Sequence, residues 1–241
     1  MSKMVGLSRN LKMTWLNKAV ELLSENLPEA EYKNRLNEYL SFEIKSAINI
    51  RKTREILMHV WYYDNTSVTP LRSEALTLIQ KDSDNALLCH WCLLLVEYPV
   101  FVDICSLIGK LSEFENEIIL AQIKQKIFDE WGERATLYHS IDKIIATMKN
   151  IGVLHTEKAG RYKIIWHDVT KPEAISFLIS TIICLENKGY CTLRELSEKN
   201  YMFPFRYQIK REMFLTDENF TITNVAGELI VSLKGCVKSF V

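Results

Sequence analysis

Apolar residues recur at helical spacing from the start of the chain. Leu11, Trp15, Leu16, Ala19, Val20, Leu22, Leu23 and Leu27 predict a helix over 11–27, ended by Pro28. A second helix is expected over 29–39 and a third over 41–63. The third has Ile44, Ile48, Leu57 and Trp61 near one face and Lys45, Arg51, Lys52 and Arg54 on its exposed side. Asp64-Asn65-Thr66 reads as a turn, and Thr69-Pro70 as an N-cap with proline opening a helix over 70–80. The run Ala86–Gly109 is almost continuously apolar but contains His90, Glu97, Pro99 and Asp103. Those groups are costly or disruptive in lipid, so two buried helices meeting at Glu97-Tyr98-Pro99 are expected rather than a membrane span. Ser112 and Glu115 read as a capping box for a helix ending at Trp131 before Gly132, and no strand is predicted up to that point.

The pattern then changes. Residues 136–150 form a helical repeat with Leu137, Ile141, Ile144, Ile145 and Met148 on one side, stopped by Gly152. Residues 153–156 and 161–167 alternate like two strands around the turn Lys158-Ala159-Gly160. Helix, glycine, strand, basic turn and strand follow the order of the last helix and wing of a winged-helix module. Beyond Pro172 a helix is expected over 173–187. A capping box at Thr192 and Glu195 opens a short helix to about Asn200, and residues 220–223 and 229–233 could pair as a hairpin. The expected fold is mainly α: a helical N-terminal bundle over 1–130, a winged-helix-like module over 131–171 and a small α+β appendage over 172–241. No internal repeat is visible in the sequence.

Composition narrows the function classes. Of 241 residues, 48% are hydrophobic and 25% charged, which suits a folded globular chain. Formal net charge is zero, so no global polycation announces nucleic acid and any basic surface must be local. The opening residues lack the apolar core of a signal peptide, and the six cysteines sit mostly in apolar runs, so a cytoplasmic protein with reduced thiols is expected. Cys89 and Cys92 enclose His90, but leucines flank them and no second ligand pair follows, which favours a core helix over a zinc site. The glycine-rich phosphate loops and the HExxH and GxSxG motifs are absent, and the five histidines are scattered. Neither an enzyme nor a cofactor or metal is expected.

Two local basic faces remain. Between residues 131 and 171, seven basic residues against four acids leave a surplus of three positive charges. Thr136, His139, Ser140 and Lys143 are of types that meet base edges and phosphates from a helix, and Lys158, Arg161 and Lys163 would reach phosphates from a wing. The same residues equally suit the solvated surface of a protein-interaction module. The second face, Lys45, Arg51, Lys52 and Arg54, lies near Glu43 and Glu55, whose ion pairing can use up part of its charge.

The stretch SIDKIIATMKNIGVL, residues 140–154, resembles the late helix of the BrxA family of BREX phage-defence systems. Lys143, Ile144, Ile145, Met148, Gly152, Val153 and Leu154 fall on that run. The opening VGLSRN, the core NIRKTREIL and the central order of buried helices also resemble the family, over residues 5–155 in all. The resemblance implies an all-helical, non-enzymatic DNA-binding component that supports discrimination between host and phage DNA. Carried over, DNA contact falls on Arg51, Lys52 and Arg54, and on Lys143. The tail after Ile165 is longer than the family pattern. The expected function is therefore sequence-tolerant double-stranded DNA binding, with other proteins of a defence complex as partners and no membrane. The alternative is a scaffold subunit that docks a larger enzyme through its winged-helix and helical surfaces.

Overall fold

The computed structural model describes residues 6–65, 68–186, 188–225 and 227–234. It is mainly helical. The N-terminal part comprises α1 (Met13–Ser24), α2 (Glu29–Ser41), α3 (Ala47–Trp61) and α4 (Val68–Lys81). α1, α3 and α4 pack on α5 (Ala86–Glu97), α2 packs on α1 and α3, and α6 (Pro99–Ser112) packs on α5 from the side of the later elements. α5 is apolar all round because it is buried all round, including Cys89, His90, Trp91 and Cys92. Tyr98 takes an extended conformation and Pro99 opens α6, as expected. The segments Ser83–Glu97 and Pro99–Ser112 bend by 118°, and among the described residues no single helix is long and apolar enough to cross a membrane.

Two buried polar arrangements hold this core. His90 lies wholly inside, accepting a hydrogen bond at Nδ1 from Trp61 Nε1 (3.1 Å) and meeting Asn17 Oδ1 through Nε2 (2.8 Å). Burial pushes its imidazole down to about 3, so the ring is neutral and both nitrogens are engaged. Burial likewise pushes the Cys92 thiol up to about 12. Arg72 of α4 reaches the end of α3 and donates to the carbonyls of Val60, Tyr62 and Tyr63 (3.3, 2.9 and 2.6 Å). A cation at these orphan carbonyls satisfies them and complements the helix dipole.

The remaining elements are β1 (Ile118–Ile119), α7 (Leu120–Trp131), α8 (Ala135–Asn150), β2 (Leu154–Lys158), β3 (Arg161–Ile164), β4 (His167–Val169), α9 (Pro172–Leu185), β5 (Tyr190–Thr192), α10 (Leu193–Ser197), β6 (Phe205–Tyr207), α11 (Met213–Thr216), β7 (Phe220–Val225) and β8 (Glu228–Leu233). They build two antiparallel three-stranded sheets, β1-β3-β2 and β5-β8-β7, and a separate parallel pair β4-β6. The order α6-β1-α7-α8-β2-β3 recurs as α9-β5-α10-α11-β7-β8 once β6, inserted between α10 and α11, is set aside. In both units the third strand lies between the first and the second. The repeat is one of topology, which the side chains do not record.

Several expectations need correction. α3 starts at Ala47, six residues later than expected, because the Ser46 hydroxyl caps it by accepting from the Asn49 amide. Lys45 thus precedes the helix, and Ile48 is 61% exposed instead of joining the apolar face. Thr69-Pro70 lies inside α4, which opens at Val68; Thr66 of the expected turn lies outside the described residues. Ser112 ends α6 instead of opening a helix, since its hydroxyl turns back to the Gly109 carbonyl (2.6 Å). After it the β-branched pair Ile118-Ile119 forms a strand against Tyr162 and Arg161, where helix was expected. The expected strand over 161–167 divides: the Ile165 amide bonds Val153, and His167 starts a separate strand along Phe205–Tyr207. Gly132 closes α7 with φ +77°, as its position predicts. The capping box at Thr192 and Glu195 is present on α10.

Candidate nucleic-acid interface

α8 amphipathy decides which of its side chains are available. Leu137, Ile141, Ile144, Ile145 and Met148 are buried, as their spacing predicts. Ser140 lies between Leu137 and Ile144 on the same face and is 4% exposed, so it is not available to a base or a phosphate. Thr136 and His139 are exposed, Lys143 is half-buried, and Lys149 and Asn150 are exposed further along. The outward stripe therefore carries Thr136, His139 and Lys149, with the half-buried Lys143 at its margin, while Ser140 faces the core.

The helix before it locks this stripe in place. Lys124 of α7 pairs with Asp142 (2.7 Å) and sits over the Tyr138 ring, 3.5 Å from its centroid. Phe128 stacks on the same Tyr138 ring, with the centroids 6.2 Å apart. Burial opposes the charge on Lys124, but its bonds to Asp142 and Tyr138 outweigh that and raise its pKa. The far end of α8 is clamped by the N-terminal segment. The Leu11 amide donates to Thr147 Oγ1 (2.9 Å), and Asn150 donates back to the Leu11 carbonyl (3.0 Å). Two residues earlier Arg9 donates to Asn49 on the first turn of α3 (2.9 Å). Residues 9–11 thus tie the start of α3 to the end of α8 and bring the two basic faces to neighbouring parts of the surface.

In the β2–β3 hairpin, Lys158, Arg161 and Lys163 are all exposed. Arg161 pairs with Glu117 (3.0 Å) and Lys163 with Glu157 (3.2 Å), whereas Lys158 has no ion-pair partner among the described residues. On α3, Arg51 and Lys52 are exposed and also lack such a partner. Arg54 does not share that face. Its side chain is 14% exposed and held by Glu55 (Nε, 3.0 Å) and Asn37 (3.1 Å). Burial raises the Glu55 pKa, but the bonds from Arg54 and Tyr63 outweigh it and hold the carboxyl low. Glu43 pairs instead with Lys12 and Trp15. Arg51 and Lys52 border a cleft of about 1030 Å³ that also includes His59, Glu97 and Tyr98. His59 Nδ1 lies 3.4 Å from Glu97, so this cleft carries both signs of charge.

Of the eleven candidate contact residues, the structure leaves Thr136, His139, Lys143 and Lys158 on one unit, Arg51 and Lys52 on α3, and Lys45 just before α3, without an ion-pair partner among the described residues. It withdraws Ser140 and Arg54, and it pairs Arg161 and Lys163 with acids. Lys149 and Lys124 are additions. The signal for Lys149 lay in the helical wheel, since it follows positions 139, 142 and 146, none of them buried, at three- and four-residue steps. Among the described residues no cluster of three His, Cys, Asp or Glu side chains is placed to hold a metal ion. No protein-family model, curated protein or solved structure matches this chain.

Proposed function

We propose that the chain is a non-enzymatic double-stranded DNA-binding accessory protein of a bacterial phage-defence system of the BREX type. The unit α6-β1-α7-α8-β2-β3 is read as a winged helix, in which the helix before the hairpin enters the major groove and the hairpin is the wing. The observation that carries this reading is the outward stripe of α8. Thr136, His139 and Lys149 are exposed and Lys143 half-exposed on a helix braced by Lys124 and Asp142, with Lys158 exposed on the adjoining hairpin. Few cations are free, so binding rests on a handful of phosphate contacts and tolerates sequence. The defence role is carried over from the BrxA resemblance of residues 5–155.

A mobility shift with a random duplex at low and moderate salt tests the DNA reading. A shift at low salt that fades at moderate salt is expected, while no shift at low salt would overturn it. The scaffold reading draws its support from Glu117 and Glu157, which neutralise two of the three hairpin cations. In that case the same surface would dock a larger protein and the duplex would leave the protein's mobility unchanged.

A further inference from the structure

β7 is the outer strand of the sheet β5-β8-β7. Its register sets Thr221 against Ser232, Thr223 against Ile230 and Val225 against Glu228, and just beyond it the Lys234 amide donates to the Asn219 carbonyl (2.8 Å). Opposed residues in an antiparallel ladder alternate between hydrogen-bonded and non-bonded pairs. The bond at 219 and 234 therefore assigns 221, 223 and 225 to the bonded set. Ile222 and Asn224 direct their amides and carbonyls away from β8, to an edge that no strand among the described residues covers.

Folded proteins blunt such edges with charge, proline or a bulge. The corresponding outer strand of the first unit has two of these: β2 carries Glu157 and Lys158, and its register shifts between Thr156 and Lys158. β7 reads FTITNV, without charge, proline or glycine, and its register against β8 is unbroken. Two apolar side chains lie exposed beside it, Leu215 on α11 at 72% and Val225 at the strand end at 53%. A nucleic acid finds no cation on this strand. A second copy of the same neutral, β-branched strand meets no repulsion and can satisfy the outward backbone groups of Ile222 and Asn224.

We propose that β7 is a self-association edge that pairs antiparallel with β7 of a second copy of this chain, with Thr223 opposite Thr223 across the two-fold axis. In this register Ile222 exchanges hydrogen bonds with Asn224 of the partner subunit, and Asn224 with the partner's Ile222. The two sheets then join into one of six strands through an isologous contact. Thr223 forms a non-bonded pair with Cα atoms about 4.5 Å apart, within reach of a disulfide once cysteine replaces it. A standard stable interface buries about 1,600 Å², more than two short strands provide, so dissociation on the order of tens of micromolar is expected. This inference stands apart from the DNA reading, because none of its residues belongs to α8 or the first hairpin.

Sedimentation velocity on the full chain up to about 300 µM tests it together with crosslinking. The wild-type chain is expected to shift from monomer to dimer with concentration. Thr223→Lys is expected to raise the dissociation constant at least about ten-fold while leaving the circular-dichroism melt unchanged. Thr223→Cys is expected to give a reducible dimer under mild oxidation that the wild-type chain, with its own cysteines, does not give. A wild-type monomer over the whole range with no Thr223→Cys crosslink would overturn the proposal. So would a dimer that Thr223→Lys leaves intact, since that puts the interface elsewhere. If Thr223→Lys lowers the melt, the crosslink alone decides.

Discussion

In the first unit a sixteen-residue helix, α8, precedes the terminal hairpin; in the second the corresponding helix, α11, has four residues. The first hairpin carries Glu157, Lys158, Arg161 and Lys163, whereas the strands of the second carry only Glu228. One order of elements thus supports two different surfaces, one with cations on a long helix and one with an uncharged open edge. Topology sets where a helix and a hairpin stand, and side chains decide what they can meet. The units are also joined. Trp91 of α5 meets Phe101, Phe203 and Phe205 edge-on, and its Nε1 donates to the Tyr201 carbonyl (3.3 Å). Gly109 of α6 leaves room for the Asn200 carbonyl, which an added Cβ would meet at 2.1 Å.

The comparison breaks hardest at that seam. Trp91→Ala should cost about 3–5 kcal/mol and lower the melting temperature by roughly 10 °C or more. A single calorimetric transition moving as a whole is expected; one half of the transition staying in place would mean that the units fold independently. Gly109→Ala should cost about 1–3 kcal/mol by forcing α6 away from Asn200, measured by urea denaturation.

A pH dependence is expected where α4 meets the second unit. The Glu74 carboxyl lies in a cleft of about 510 Å³ between α4, α9 and residues 213–220, which also contains Lys81, Glu173, Asp217 and Glu218. Burial, reinforced by Asp217, pushes it up to about 7. A carboxyl raised in the folded state stabilises below its unfolded value, and that stability is lost as pH rises through the folded value. Stability should therefore fall on the order of 2 kcal/mol between about pH 5 and about pH 8. Glu74→Gln should flatten that part of the profile; urea curves of both proteins with the same pH dependence would contradict it.

Smaller effects sharpen the electrostatic side. Replacing Glu117 and Glu157 by glutamine frees Arg161 and Lys163, and should steepen the slope of log affinity for DNA against log salt by up to about two. An unchanged slope would show that these cations do not reach phosphate. At the smallest scale, Thr136→Ala and His139→Ala should change preference among duplex sequences only if α8 reads bases. Ser140→Ala should leave DNA binding as it is, because that hydroxyl is buried.

The sequence predicts most of the helices because burial follows helical spacing: the faces of α1 and α8 and the break at Pro99 are all visible in the order of apolar residues. It conceals what depends on distant partners. Ile118-Ile119 is too short to read as a strand until Tyr162 and Arg161 lie beside it. Glu117 neutralises a residue 44 positions away, and Arg54 takes the adjacent Glu55 together with Asn37 from α2. The repeated topology leaves no trace in the sequence because its equivalent helices differ in length and residue type. Ser140 was decidable in advance, since both Leu137 and Ile144 at its helical neighbours are apolar.

Anisotropy titrations of a random duplex across a salt series, with the wild-type chain and with Lys143, Lys149 and Lys158 together replaced by alanine, test the α8 surface most directly. The expected result is wild-type binding that weakens with salt and a variant whose log–log slope is shallower by about three, with weaker binding to every duplex alike. A variant with wild-type affinity and slope, at an unchanged melting temperature, would contradict DNA contact by α8 and its hairpin.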